Sequence, residues 1–116
     1  MLISDKEEVV KLLKKLKKSI DPLDLDYEFI FKKETNGFFG RYGILRKHIQ
    51  EEIKQFTIAN YLKGPESDHA GLAGEIWAFK FNVDDHKLYI KFRKADNCFI
   101  CFRIHPDDES KECPYA

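Results

Sequence analysis

Glu75-Ile-Trp-Ala-Phe-Lys-Phe-Asn-Val83, Lys87-Leu-Tyr-Ile-Lys-Phe-Arg93 and Phe99-Ile-Cys-Phe-Arg-Ile-His105 are three alternating apolar and polar runs separated by short polar breaks. Successive side chains of a strand point to opposite faces, so a period of two assigns each residue to a side. Trp77, Phe79, Phe81 and Val83 fall on one side of the first run, with Ala78, Lys80 and Asn82 on the other. Leu88, Ile90 and Phe92 oppose Lys87, Tyr89, Lys91 and Arg93 in the second, and Ile100, Phe102 and Ile104 oppose Arg103 and His105 in the third. Asp84-Asp85-His86 and Ala95-Asp96-Asn97 carry turn chemistry, with Asn97 assigned the left-handed position. Pairing Val83 with Leu88 and Lys94 with Cys98 keeps the large apolar side chains, Tyr89 and Phe99 excepted, on one face. Residues 75–105 are therefore read as a three-stranded antiparallel sheet.

Working outward, Ser4-Asp5-Lys6-Glu7 has the spacing of a capping box, which predicts a helix start. Val9, Val10, Leu12, Leu13, Leu16 and Ile20 follow at helical spacing, Lys11, Lys14, Lys15, Lys17 and Lys18 fill a solvated face, and Asp21-Pro22 ends the run. Tyr27, Phe29 and Phe31 alternate with Glu28, Ile30 and Lys32 as a strand. The glycine-bearing stretch Glu34–Gly43 reads as a loop whose Phe38-Phe39 pair tucks into the core. A second helix is expected from Ile44 to Leu62, its buried stripe being Leu45, Ile49, Ile53, Phe56, Ala59 and Leu62, with Lys63-Gly64-Pro65 closing it. Residues 64–74 read as a connecting loop. The fold class is α+β: two helices on one face of a mostly antiparallel sheet, as one domain over residues 1–116.

Composition bounds the function. A chain of 116 residues with 43% hydrophobic content and ten Phe supports one core. Lys plus Arg and Asp plus Glu both number 20, so no global positive field favours nucleic acid, and any such binding must come from local charge. The first residues run into charge without an apolar stretch, which predicts a cytoplasmic protein with no membrane partner. Cys98, Cys101 and Cys113 are odd in number and crowded at one end, which fits a reducing compartment. Cys98, Cys101, His105 and Cys113 suggest a zinc spacing, but alternation sends Cys98 and Cys101 to opposite faces, so neither metal nor cofactor is expected. Asp84-Asp85 and Asp107-Asp108-Glu109 read first as turn and tail residues.

Lys80, Lys87, Lys91, Arg93, Arg103 and His105 gather on the polar side of the sheet with no acidic residue on the same strand faces. Like charges placed opposite one another repel, so the cluster favours an anion-binding surface. The alternative is a solvated face balanced by Asp107-Asp108-Glu109.

From Asn60 onward the chain resembles the MqsR-like toxins of bacterial toxin–antitoxin systems, which have a RelE-like fold. The resemblance lies in Tyr61-Leu-Lys-Gly-Pro-Glu-Ser-Asp68, Gly74-Glu-Ile-Trp77, Leu88-Tyr-Ile-Lys-Phe92 and Ile100-Cys-Phe-Arg-Ile-His-Pro106. It implies a metal-independent endoribonuclease that cuts messenger RNA and is held inactive by a cognate antitoxin, contacting DNA only through that antitoxin. Carried over by position, Lys63, Tyr89 and His105 are the implied catalytic residues. Ala78 stands where one branch of the family has a glutamine, and His105 where that branch has a lysine.

Cleavage without metal uses the neighbouring 2′-OH as nucleophile and needs a base, an acid and cations around the charged phosphorane. His105 is the first candidate acid or base, because imidazole ordinarily titrates near neutrality. Tyr89 would share proton transfer or fix the ribose. Lys91, Arg103 and Lys63 would bind the scissile phosphate, with Lys80, Arg93 and Lys87 extending the RNA-binding face. A non-catalytic module that uses the same face to bind RNA or an acidic protein, including a degenerate toxin, is the rival reading.

Overall fold

Helix α1 (Lys6–Ile20) starts where Asp5, in extended conformation, accepts a hydrogen bond from the Glu8 amide at 2.9 Å. The cap is thus Asp5, one residue later than the Ser4 box. Ser4 is buried, and its hydroxyl donates instead to the Gly64 carbonyl at 2.8 Å. The computed structural model describes residues 3–67, 74–107 and 111–116. Residues 68–73 of the expected connecting loop, and Asp108 and Glu109, lie outside the described residues.

After α1 come β1 (Glu28–Phe31), a one-turn 3-10 helix, α2 (Asn36–Tyr42) and α3 (Arg46–Lys54). A second 3-10 turn then leads to β2 (Tyr61–Glu66), β3 (Glu75–Val83), β4 (His86–Ala95) and β5 (Cys98–Pro106). The five strands form one sheet in the order β1-β5-β4-β3-β2, antiparallel except for the parallel β1–β5 pair. Among the described residues this is an α+β fold with three α-helices, one more than expected. The extra one, α2, lies where a loop was read, and it buries Phe38 and Phe39 as foreseen.

The second helix is shorter than its apolar spacing suggested. It ends at Lys54, because Thr57 is extended and its amide donates to Asn60 Oδ1 at 2.9 Å, while Asn60 Nδ2 donates to the Lys80 carbonyl at 2.9 Å. Those bonds turn the chain into β2. Leu45 and Ala59, assigned to a buried stripe, are exposed, and Leu62 is buried on the opposite face of the sheet. Lys63-Gly64-Pro65 lies inside an edge strand, not at a helix end. Gly64 has φ +128°, and a Cβ there would sit 2.7 Å from the Ile76 carbonyl oxygen.

The three central strands fall where the alternation put them, but both hairpins are tighter. Asp84-Asp85 and Asp96-Asn97 are two-residue turns, and the residue with positive φ in the second is Asp96, not Asn97. Val83 therefore pairs with His86, two places from the expected register, and an even shift leaves every face intact. In β5 the pairing slips between Lys91↔Arg103 and Phe92↔Cys101, leaving Phe102 as the extra residue of a bulge. Before the bulge the parity reverses. Phe99 and Cys101 are in the core, whereas Ile100 and Phe102 are not. The main core lies between α1, α2 and α3 and the face carrying Trp77, Phe79, Phe81, Leu88, Ile90 and Phe92.

Candidate functional site

The other face of the sheet is built in rungs. Lys80, Tyr89 and His105 stand side by side across β3, β4 and β5, and the next rung is Lys63, Ala78, Lys91 and Arg103 across β2 to β5. Asn82 and Lys87 form the rung at the hairpin end. The cations of the sequence reading do share one surface, but the fold treats them unequally.

Tyr89 is only 3% exposed, packed with Leu62 and Ala78 beneath Cys113. Its ring stacks on the His105 imidazole with centroids 4.9 Å apart and planes 15° from parallel. Lys91 Nζ lies 5.8 Å from the Tyr89 centroid, within cation–π range. His105 is half-buried, and its Nδ1 is 2.7 Å from the Pro106 carbonyl oxygen. A carbonyl only accepts, so Nδ1 carries the hydrogen, and the neutral ring keeps its lone pair on Nε2. Arg103 is exposed beside this pair.

Lys80, Lys63 and Arg93 are engaged. Lys80 Nζ lies 3.2 Å from Asp107 Oδ2, with both side chains about 15% exposed, and donates to the Lys111 carbonyl at 2.5 Å. Asp107 thus supplies the acid that the strand faces lack. Lys63 Nζ lies 3.4 Å from Glu66 Oε1. Arg93 is buried with its guanidinium 5.1 Å from the Phe102 ring centroid, so it packs and does not face solvent. Lys87 is exposed at the rim of a cavity of about 510 Å³, which Lys80, Asn82, Lys111 and Cys113 also line.

Two contributors were invisible in the sequence reading. Residues 111–116 fold back over the sheet edge. Cys113 Sγ donates to the Asn60 carbonyl at 3.6 Å, and Tyr115 stacks on Tyr61 and donates to the Ser4 carbonyl at 2.6 Å. Arg41 of α2 joins His105, Tyr42 and Pro106 around a hollow of about 340 Å³. No signal marked Arg41, because its helix was read as a loop.

Burial pushes the Cys113 thiol above its ordinary value, and pushes Cys101 up to about 12. Cys101 points into the main core while Cys113 covers the polar face. Among the described residues no group of three His, Cys, Asp or Glu is placed to hold a metal ion, and no helix is long and apolar enough to cross a membrane. The fold and site therefore define an α+β domain with a stacked Tyr–His pair on a basic sheet face. No family model, curated protein or solved structure matches the chain.

Proposed function

We propose that this protein is an endoribonuclease of the toxin type, cleaving messenger RNA by attack of a 2′-OH on the adjacent phosphate, with His105 as the proton-transfer residue. The observation that carries the reading is the His105 ring. It is stacked on Tyr89 and its Nδ1–H donates to the Pro106 carbonyl, which leaves Nε2 able to take a proton, with Lys91 and Arg103 on the adjoining rung.

His105 would accept the 2′-OH proton and return one to the leaving 5′-oxygen. Arg103 and Lys91 would hold the phosphorane oxygens as their charge grows. Tyr89 is too buried to reach a substrate in this arrangement, so its role is to position the imidazole. Lys63, paired with Glu66, contributes charge at the edge of the site. The resemblance to MqsR-like toxins adds a cytoplasmic setting and a cognate antitoxin as partner.

Purified protein incubated with RNA in EDTA should produce fragments ending in a 2′,3′-cyclic phosphate. His105→Ala should lower the rate by about 10²-fold or more, the usual scale for general acid–base catalysis. Tyr89→Phe, which keeps the stack, should retain most of the activity, and Tyr89→Ala should not. Full activity of the His105→Ala variant would overturn the assignment. In a bacterial host, growth arrest relieved by the adjacent open reading frame would support the toxin role.

A second reading is favoured by the Lys80–Asp107 and Lys63–Glu66 pairs, which neutralise part of the face internally. It is a binding module without chemistry. RNA retention by the wild type with no cleavage under any of these conditions would select it.

A further inference from the structure

Helix α1 carries five lysines within the eight residues from Lys11 to Lys18. At 100° per residue, Lys11, Lys14, Lys15 and Lys18 fall within an arc of about 100°, and at 1.5 Å per residue their stripe is about 10 Å long. All four are exposed, while Val9, Leu12, Leu13 and Leu16 on the opposite side are buried in the main core. The stripe thus faces solvent on the helical layer, away from the sheet face that carries Tyr89 and His105.

No salt bridge among the described residues engages these charges, although Glu7 and Glu8 flank the stripe at its Lys11 end. The ion pairs engage Lys32, Lys54, Lys63 and Lys80 instead. The acidic residues of α1, Glu7 and Glu8, are confined to its first turn. Like charges three and four places apart on a helix repel by a few tenths of a kcal/mol per pair. Helix α3 shows the ordinary way of keeping a face soluble: it mixes Arg46, Lys47 and Lys54 with Glu51 and Glu52, and Lys54 Nζ lies 3.3 Å from Glu51 Oε1. In a chain with zero formal net charge, a one-sign stripe is a localised field and not a by-product of a basic composition.

We infer that the Lys11–Lys14–Lys15–Lys18 stripe is a docking surface for the phosphodiester backbone of a nucleic acid. A stripe of about 10 Å spans about three intervals, or roughly four phosphates, at the 3.4 Å axial spacing of one strand. Lysine, a mobile point charge, suits backbone contact without base reading. The surroundings argue against the other polyanions. A protein interface needs apolar or aromatic anchors at its centre, and the exposed apolar residue that α1 offers is Val10, at 40% exposure. An anionic bilayer would meet the exposed Leu23 and Leu25 just past the helix, but these are interleaved with Asp21, Asp24 and Asp26, which it repels. On the flank toward the sheet edge, Glu8 and Glu75 line a cleft with Lys11, Lys15 and Lys94, and so confine the positive field to the outward side.

This inference stands on α1 alone and does not require the sheet-face chemistry. The test is fluorescence anisotropy of the full chain with single-stranded 12-nucleotide RNA and DNA over a salt series. Four released counterions on a single strand add about −2.8 to the slope of log K against log salt, or about 50-fold in affinity between 50 and 200 mM. The variant K11Q/K14Q/K15Q/K18Q should lose that part of the slope. Glutamine has nearly the helix propensity of lysine, so an unchanged circular dichroism spectrum and melting temperature would separate this loss from unfolding. Lys47→Gln, at an exposed position of α3 outside both the stripe and the sheet face, should bind as the wild type does. Similar affinity for the two oligonucleotides, or a preference for either, supports the backbone assignment and says which nucleic acid is used. An unchanged slope in the quadruple variant would overturn it. So would tighter binding of the wild type to poly-glutamate, or to phosphatidylserine vesicles, than to either oligonucleotide.

Discussion

The two faces of the central sheet share the same strands and are held by different physics. On the helical side, Trp77, Phe79, Phe81, Leu88, Ile90 and Phe92 join a continuous core closed by α1, α2 and α3. On the other side, the buried residues of the small cluster are Leu62, Ala78 and Tyr89, roofed by Cys113 and bordered by Lys63, Lys80, Lys91, Arg103 and His105. The first face is held by apolar area. The second is held by ion pairs, a ring stack and a folded-back tail, and is where charge is available for chemistry. Stability and proposed function are thereby placed on opposite sides of one set of hydrogen bonds.

The contrast can be broken most forcefully at the core. Phe92 is fully buried and packs edge-on against Phe29 and Phe79, so Phe92→Ala should cost about 3–5 kcal/mol, read as a lower urea midpoint. A loss below about 1 kcal/mol would mean that the helical layer does not close the sheet as described. Next is the seam between β2 and β3. Gly64→Ala places a side chain at positive φ and against the Ile76 carbonyl oxygen, and should cost about 1–3 kcal/mol in the same assay.

Smaller effects belong to the polar face. Asp107→Asn weakens the mostly buried pair with Lys80 and should cost about 1 kcal/mol. It should also speed alkylation of Cys113 while leaving Cys101, in the core, unreactive; equal acceleration of both thiols would indicate global unfolding and not release of the tail. The core thiol also has a pH signature. Its folded pKa, about 12, is above the ordinary 9.0, so the unfolded chain loses its proton first. The associated stability is present below pH 9 and is lost as pH rises toward 12, and Cys101→Ala should flatten that part of a stability–pH curve. Least stability should be lost with Arg103→Gln, under about 0.5 kcal/mol because the side chain is exposed, yet RNA cleavage should fall by about 10²-fold. A folded variant that cleaves normally would remove Arg103 from the proposed site.

Much of the sheet was legible because period-two alternation survives errors of register. The first hairpin was misplaced by two residues, and the second by one beside its turn and by two beyond the bulge, so Tyr89, Lys91, Arg103 and His105 came out on one face, since an even shift changes partners without changing sides. The start of β5 was misread for the same reason in reverse. Cys98-Phe99-Ile100-Cys101-Phe102 is apolar at both parities, so nothing in the pattern revealed a bulge that turns Phe99 and Cys101 inward. Phe56, Ala59 and Leu62 mimic helical spacing while lying, in turn, in the core, at an exposed turn and on the far side of an edge strand.

What the residues settle unaided are local preferences: the amphipathic α1, the alternating strands, the acidic hairpin turns and the concentration of cations on one side. Each depends on neighbours within a few positions, where backbone periodicity converts sequence into geometry. Which charges stay available was decided by the tertiary fold. Asp107 reaches back to Lys80, and the tail brings Cys113 over Tyr89, and these partners meet only when β3, β4 and β5 stand side by side. Arg41 reaches the hollow beside His105 through a helix that Asn36-Gly-Phe-Phe-Gly-Arg-Tyr42 does not announce, because burial of Phe38 and Phe39 outweighs the cost of its glycines.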